Sequence, residues 1–386
     1  MLRTEKERGV TMRVAFVSFD FGEYCIRLAA AMVAQDAKVL LLLPAEQQPA
    51  GMTVPAGIDF HAFHKPRLRQ ALLQLFTVTE LVRRIKAFKP DVVHVQQGHL
   101  WFNLALPFLM RYPLVMTAHD VMPHPGDQGA RNTPQMITDF GFRRADRLIV
   151  HGQAIKQLLI ASQDIRSEIV HVIPHIALGH DQTARKTAER DGQILFFGRI
   201  WGYKGLEYLI RAEPLITAEV PSAKIVIAGQ GENFERYRRL IKNPEQFLVL
   251  NQYISPEQQT ELFRQASLVV LPYVEASQSG VIPVAYTFAK PVVATTVGAL
   301  PEMVDDGRTG YLVPPRDPEA LAVAIVRLLK DRHLRRRVGQ NGKRKIDSEC
   351  SPEVVSRQTL AVYRAAVAAR AHAKGDATWA WGGEQR

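Results

Sequence analysis

Along this chain, short runs of β-branched and aliphatic residues alternate with longer stretches in which apolar positions recur three or four apart. That rhythm is expected when parallel strands are joined by crossover helices. The first half is predicted to hold strands at 13–19, 37–43, 91–95, 114–118, 147–150 and 169–173, with helices at 68–88 and 154–162 among the connections. In the second half, strands fit 193–197, 224–228, 247–250, 268–271, 291–295 and 310–313. The clearest helix there spans 318–329 with Asp317 placed to cap it. Between the halves, polar, His and Gly residues break every apolar period over 174–191, which is long for a connection inside one compact unit. The fold class expected is α/β, in two domains.

The expected division is an N-terminal tail at 1–11, a first domain at 12–177, a second at 178–351, a helix at 352–373 and a tail at 374–386. At 386 residues the chain is long enough for two cores. No apolar run reaches the ~18 to 20 residues that span a bilayer, and the first eleven residues lack the apolar segment of a secretion signal. Two widely separated cysteines, Cys25 and Cys350, match no zinc or redox spacing and point to a reducing cytoplasm. A formal charge of +11 favours anionic partners such as phosphates, acidic lipid or nucleic acid without choosing among them.

Four constellations could carry chemistry. In F-F-G-R-I-W-G-Y-K-G a strand runs into Gly198 and Arg199, while Lys204 and Gly205 open the next helix. A strand end with two cations beside a helix start suits a diphosphate, and a solvated glycine turn is the plain alternative. In I-A-G-Q-G-E, Gly229 and Gly231 either let a ligand approach the backbone or simply form a tight turn. In L-P-Y-V-E-A-S-Q-S-G-V-I-P, Glu275 follows a strand, and Ser277, Ser279 and Gly280 precede a helix with Pro283 in its first turn. A carboxylate beside an anion site fits a sugar hydroxyl better than a phosphate; a surface charge and an ordinary N-cap are the bland reading. In T-A-H-D, His119 and Asp120 stand at a strand's carboxyl end. There His119 could meet a substrate hydroxyl or serve structure only. His124 and Asp127 lie near, but neither H-x-x-x-H nor D-x-D spacing supports a metal.

Two basic stretches remain. The helix near 65–89 is read with Leu72, Leu75, Phe76, Leu81, Val82, Ile85 and Phe88 inward and Arg83, Arg84, Lys86 and Lys89 outward. It is either a solvated crossover or a surface that adsorbs to anionic lipid. The run near 335–345 lacks any nucleic-acid motif or interleaved aromatics, so no nucleic-acid partner is expected.

Taken in order, G-R-x4-K-G, A-G-x-G, Glu275 in its loop and G-A-L-P-E-M-V-D-D-G-R-T-G-Y-L-V-P-P resemble the retaining family 4 (group 1) nucleotide-sugar glycosyltransferases of the GT-B fold. The resemblance implies two Rossmann-like domains facing a cleft, with the last helix packing back on the first. It places catalytic roles on His119, Glu275, Arg199 and Lys204. Donor contacts fall on Gly198, Arg199, Lys204, Gly229, Gly231, Ile254, Glu275, Ser279, Gly280 and Val281. The second Glu of the family's Glu-x7-Glu pair is replaced by Pro283, which has no acceptor for a ribose hydroxyl. The glycine-rich loop after the first strand is reduced to F-D-F-G-E-Y with Gly22.

By the same resemblance, a hexose-type sugar passes from a nucleoside diphosphate sugar to a glycan or lipid-linked acceptor, in cell-surface polysaccharide or glycolipid synthesis. Neither cofactor nor metal is expected. Localisation is expected to be cytoplasmic, with peripheral contact on the inner face of the membrane as an option. Competing readings are a sugar-nucleotide epimerase or phosphorylase-like enzyme on the same scaffold, and a nonenzymatic partner of a polysaccharide assembly complex, which Pro283 suggests.

Overall fold

The computed structural model describes residues 11–49, 51–119, 121, 134–179 and 188–373. Asp120, His124 and Asp127, the centre of the interdomain stretch and nearly all of both tails lie outside the described residues.

The first half runs β1 (Arg13–Ser18), α1 (Gly22–Val33), β2 (Lys38–Pro44), β3 (Ile58–Phe63), α2 (Ala71–Phe88), β4 (Val92–Gln96), α3 (Leu100–Ala105), β5 (Leu114–Thr117), α4 (Gln135–Arg144), β6 (Arg147–Val150), α5 (Gln153–Gln163) and β7 (Val170–Val172). The second half runs β8 (Gln193–Phe197), α6 (Leu206–Glu219), β9 (Lys224–Ala228), α7 (Glu235–Arg238), β10 (Phe247–Leu250), α8 (Pro256–Gln265), β11 (Leu268–Leu271), α9 (Val281–Thr287), β12 (Val292–Thr295), α10 (Leu300–Met303), β13 (Gly310–Val313), α11 (Pro318–Lys330), α12 (Arg332–Glu349) and α13 (Pro352–Ala373).

All strand pairs are parallel, in two sheets ordered β3-β2-β1-β4-β5-β6-β7 and β10-β9-β8-β11-β12-β13. Both faces of each sheet are covered. In β1, Ala15 and Val17 enter one core while Val14 and Phe16 enter the other. Successive side chains on a strand point to opposite faces, so a strand buried on both sides reads as a continuous apolar run. This is why most strands stand out in the sequence.

The exception is β3, which the sequence reading passed over. It lies at the sheet edge, and its I-D-F-H-A-F is only partly buried, with Asp59 exposed. A second difference concerns α2. Its buried residues are Gln74, Thr77, Val78, Leu81, Val82 and Ile85, whereas Leu72, Leu75 and Phe76, expected inside, are 83%, 52% and 71% exposed. The buried stripe in the first turns is set by Gln74, whose amide donates to the carbonyl of Pro66 at 2.7 Å.

The last helix, α13, returns to the first sheet. Val355, Leu360, Val362, Tyr363 and Ala366 share a core with Phe16, Ile26, Val92 and Ile149. The Tyr363 hydroxyl meets His94 Nδ1 at 2.6 Å, and Arg370 pairs with Asp146 at 2.9 Å.

Candidate active site

In each sheet the strand order reverses once, between β1 and β4 and between β8 and β11. Crevices open at the carboxyl ends of strands at such points, because the connections leave in opposite directions. A cavity of ≈ 400 Å³ lies there, lined from the first sheet by Phe21, Glu23 and His119 and from the second by Gly198, Arg199, Tyr203, Lys204 and Gln278–Val281.

The second-sheet wall is assembled by backbone contacts that demand glycine. Gly198 follows β8 at φ 114°. Gly229, at φ 147°, lies so close that a Cβ there would stand 1.9 Å from the Gly198 carbonyl oxygen. Gly231 abuts Ile200 in the same way, and the two loops exchange Ile200 N–H to Gln230 O and Glu232 N–H to Ile200 O. Both glycines thus join the β9 loop to the Gly198–Arg199 turn, and neither lines the cavity. Gly205, left-handed at φ 65°, ends the 3-10 turn carrying Lys204.

Lys204 holds its ammonium 3.8 Å from the centroid of the Tyr273 ring and 5.1 Å from that of Tyr203. Rings present a negative face to a cation, which helps to fix the lysine. Arg199 donates to the Tyr203 hydroxyl at 3.4 Å. Burial pushes the Tyr273 hydroxyl up to about 12, so it stays neutral, and it lies 3.5 Å from Ser279 Oγ. Ser279 in turn accepts from the Val281 N–H at the start of α9. Pro283 is buried in the first turn of α9, where its missing N–H leaves no hydrogen bond unmade.

Glu275 follows β11 on the loop whose N–H groups, from Val274 and Glu275, donate to the Tyr203 carbonyl at 2.8 and 3.4 Å. Its side chain is exposed and does not line the cavity. Ile254 lies before α8, half-buried against the second-domain core and away from the cavity wall. The cavity therefore brings together His119, Gly198, Arg199, Lys204, Ser279, Gly280 and Val281. Glu275, Gly229, Gly231 and Ile254 stand behind or beside it.

His119 extends from the end of β5, stacked on Phe21 with ring centroids 3.9 Å apart. Its imidazole nitrogens meet the side-chain amides of Gln96 and, at 3.1 Å, Gln278. Burial, then the neighbouring His151, His175 and His94, holds its pKa well below the usual value. Both contacts are made by amide nitrogens, and a neutral imidazole has one lone pair, so it accepts from one of the two. Gln278 belongs to the second sheet, so this contact crosses the cleft. A second crossing is made by Glu302 of α10, whose carboxylate accepts from the N–H groups of Gln153 and Ala154 at 2.6 and 2.7 Å and so caps α5.

Sequence reasoning missed Gln278, Gln96 and Glu302. The first stands inside a motif already singled out, S-Q-S-G, but its partner is 159 positions away, and only the fold shows the pairing. Among the described residues no group of three or more His, Cys, Asp or Glu has an arrangement that could hold a metal ion.

Two family models cover most of the chain, one on each sheet: Glycosyltransferase Family 4 matches residues 22–176, and Glycosyl transferases group 1 matches residues 191–331. The chain belongs to the group 1 glycosyltransferases. A D-inositol 3-phosphate glycosyltransferase of Nocardioides sp. is 29% identical over 400 residues, 89% of this chain and 84% of its own. An uncharacterized glycosyltransferase of Methanocaldococcus jannaschii is 32% identical over 179 residues, 45% of each chain.

Solved structures share this glycosyltransferase's fold. Sucrose-phosphate synthase from Thermosynechococcus elongatus superposes with a TM-score of 0.73 at 19% identity, over 93% of this chain and 100% of that one. The Anabaena protein HepE, in complex with UDP and glucose, gives 0.68 at 20% identity over 92% and 100%. The two-sheet architecture is that of the GT-B glycosyltransferases.

Proposed function

We propose that this glycosyltransferase moves a hexose-type sugar from a nucleoside diphosphate sugar to a glycan or lipid-linked acceptor, with retention of anomeric configuration and without a metal. The setting is cell-surface polysaccharide or glycolipid synthesis, on the cytoplasmic side and in peripheral contact with the inner face of the membrane. The observation that carries the reading is the meeting of Arg199 and Lys204 with His119 across one cavity at the carboxyl edges of both sheets. The HepE complex with UDP and glucose supports a nucleotide-sugar donor for the same fold.

In this reading Arg199 and Lys204, with the first N–H groups of α9, stabilise charge that builds on the departing diphosphate. Cations already fixed by Tyr203 and Tyr273 need little reorganisation when that charge appears. His119, held neutral, does not act as an acid, and its Nδ1 reaches a sugar hydroxyl once the donor displaces the Gln278 amide. Glu275 swings from its exposed loop position to orient sugar hydroxyls. Since Pro283 offers no acceptor, ribose is held by other groups.

The deciding experiment is titration of the full chain with a panel of nucleoside diphosphates and their sugars. A charge-assisted hydrogen bond contributes about 1.5 to 3 kcal/mol, so Lys204→Ala should weaken the preferred nucleotide by roughly ten- to a hundredfold. Glu275→Gln should abolish most turnover while leaving nucleotide binding intact. Unchanged nucleotide affinity in Lys204→Ala defeats the donor assignment. Free nucleoside diphosphate together with a glycosylated product separates the transferase from an epimerase or phosphorylase. The anomeric proton coupling of that product reads retention, and turnover undiminished by EDTA reads metal independence.

A further inference from the structure

The first sheet has another cavity at the edge opposite the catalytic one. It measures ≈ 520 Å³ and lies where β5 and β6 begin, at Leu114 and Arg147. The catalytic cavity lies beyond the carboxyl ends of the same parallel strands, so at least the four residues of β5, about 13 Å, separate the two. Arg143 and Arg144 reach the second cavity from the end of α4, Arg166 from the segment before β7 and Arg370 from the end of α13.

Five guanidinium groups thus line one space, and Asp146 is the one acid among the lining residues. Its carboxylate is already committed, accepting from Arg370 at 2.9 and 3.0 Å and from the Leu114 N–H at 2.7 Å. Arg370 also donates to the Met110 carbonyl, and Arg147 donates to the carbonyls of Asp146 and Ala365 at 2.7 and 3.4 Å. These bonds fix two guanidinium groups in place. Arg166 leans on Glu168 at 3.3 Å, both mostly exposed. Arg143 and Arg144 are exposed and meet no acid among the described residues. The negative end of α4 accounts for those two as a pair. It does not account for Arg147, Arg166 and Arg370, which converge on the same space from other parts of the chain.

A second observation points the same way. Tyr112 lines the cavity and is 5% exposed, and its buried hydroxyl has no hydrogen-bond partner among the described residues. Such a group is costly to leave unmade. An oxyanion answers both deficits, since it neutralises cations and accepts from a hydroxyl. Five arginines against Asp146 and Glu168 leave three positive charges. A phosphate dianion meets that surplus better than a single carboxylate, and guanidinium forks match its oxygens two at a time. The buried Leu106 and Leu109 side chains add a low-dielectric wall that focuses the field, and the volume is that of a small-molecule site.

We infer that this cavity is a second anion site, separate from the donor site, which takes a small molecule bearing phosphate groups and clamps the end of α13 to the start of β5 and β6.

The test is calorimetric titration of the full chain with pyrophosphate, at low salt and at roughly 0.15 M, where exposed charges are largely screened. Two sites are expected under both conditions. Lys204→Ala should lose the one in the catalytic cavity, and Arg143→Gln with Arg144→Gln should weaken the other by about tenfold or more while leaving the melting midpoint without pyrophosphate unchanged. Hydrogen exchange of the unaltered protein should slow over residues 143–147 and 366–370 when pyrophosphate is added, a readout that needs no variant.

A single site that vanishes in Lys204→Ala overturns the inference, as does unchanged binding in the arginine variant or protection confined to the catalytic cavity. A second site seen only at low salt is a solvated charge patch and overturns it too. Should the donor assignment fail instead, Lys204→Ala binds pyrophosphate like the unaltered protein while the arginine variant still loses its site.

Discussion

Acid should unfold this protein through its histidines before its carboxylates. Burial depresses His94 to about 3 and His175 to about 4; burial and then Lys65 take His99 to about 4. In the unfolded chain each would titrate near 6.5. A folded pKa below the unfolded one means the unfolded state takes up the proton first, so stability present above pH ~6.5 is lost as pH falls toward the folded values. Between pH 7 and pH 5 each of the three contributes a loss of about 2 kcal/mol, roughly 6 in all, against a typical total of 5–15 kcal/mol. His119, also depressed by burial, adds in the same direction.

The loss is local to the first domain. His94 joins β4 to α13 through Tyr363 and to β5 through Thr117 Oγ1 at 2.8 Å, so its protonation should release the last helix as well. Urea unfolding followed by circular dichroism at half-unit steps from pH 7.5 to 5 gives the slope directly, which should approach about 1.4 kcal/mol per pH unit for each neutral histidine. A free energy of unfolding that is flat from pH 7 to 5 would refute the reasoning.

Three further outcomes follow from particular contacts. Glu302→Ala removes the cap of α5 and should cost about 1 kcal/mol and enlarge the radius of gyration by X-ray scattering; an unchanged radius would mean that the contact does not hold the two domains together. Gly229→Ala puts a Cβ 1.9 Å from the Gly198 carbonyl oxygen at a backbone angle that side chains avoid, so it should cost roughly 2 to 4 kcal/mol and weaken nucleotide binding together, and a normal melting midpoint would contradict the packing described. Arg335 is 1% exposed, bonded to Glu189, Asp191 and the carbonyls of Leu328 and Leu329; Arg335→Ala leaves the two buried carbonyls without a donor and opens a void, and should lose about 2 to 4 kcal/mol, measured as a shift of the denaturant midpoint.

Periodicity exposed the strands because parallel strands covered on both faces are apolar throughout. It passed over β3, where one edge of Ile58–Phe63 is wet and His and Asp interrupt the run. The same logic misplaced the first turns of α2. A stripe of Leu72, Leu75 and Phe76 has helical spacing whichever way it faces, and spacing cannot say whether sheet or solvent covers it. Arg199, Lys204 and His119 were legible because topology sends strand ends to one crevice. The amides that hold His119, and the histidines beside it, were not. Each sits in an unremarkable local sequence, and only the return of distant strands to one point turns isolated residues into a buried ring cluster, with His119 and His151 centroids 4.8 Å apart.

The returning helix α13 also sets an order of events during synthesis. The strands of the first sheet are complete once residue 172 has been made, but one wall of its core is supplied by Val355, Leu360, Tyr363 and Ala366. At about 5 to 20 residues per second, translation reaches that wall roughly 10 to 40 seconds later. Through that interval Phe16, Val92 and Ile149 lack their cover, while the second domain can fold in the meantime around its own core. The nascent first domain is therefore the stage at which a chaperone would be needed. A first domain expressed alone would keep that exposed face for good, whereas supplying residues 352–373 as a separate peptide should close it.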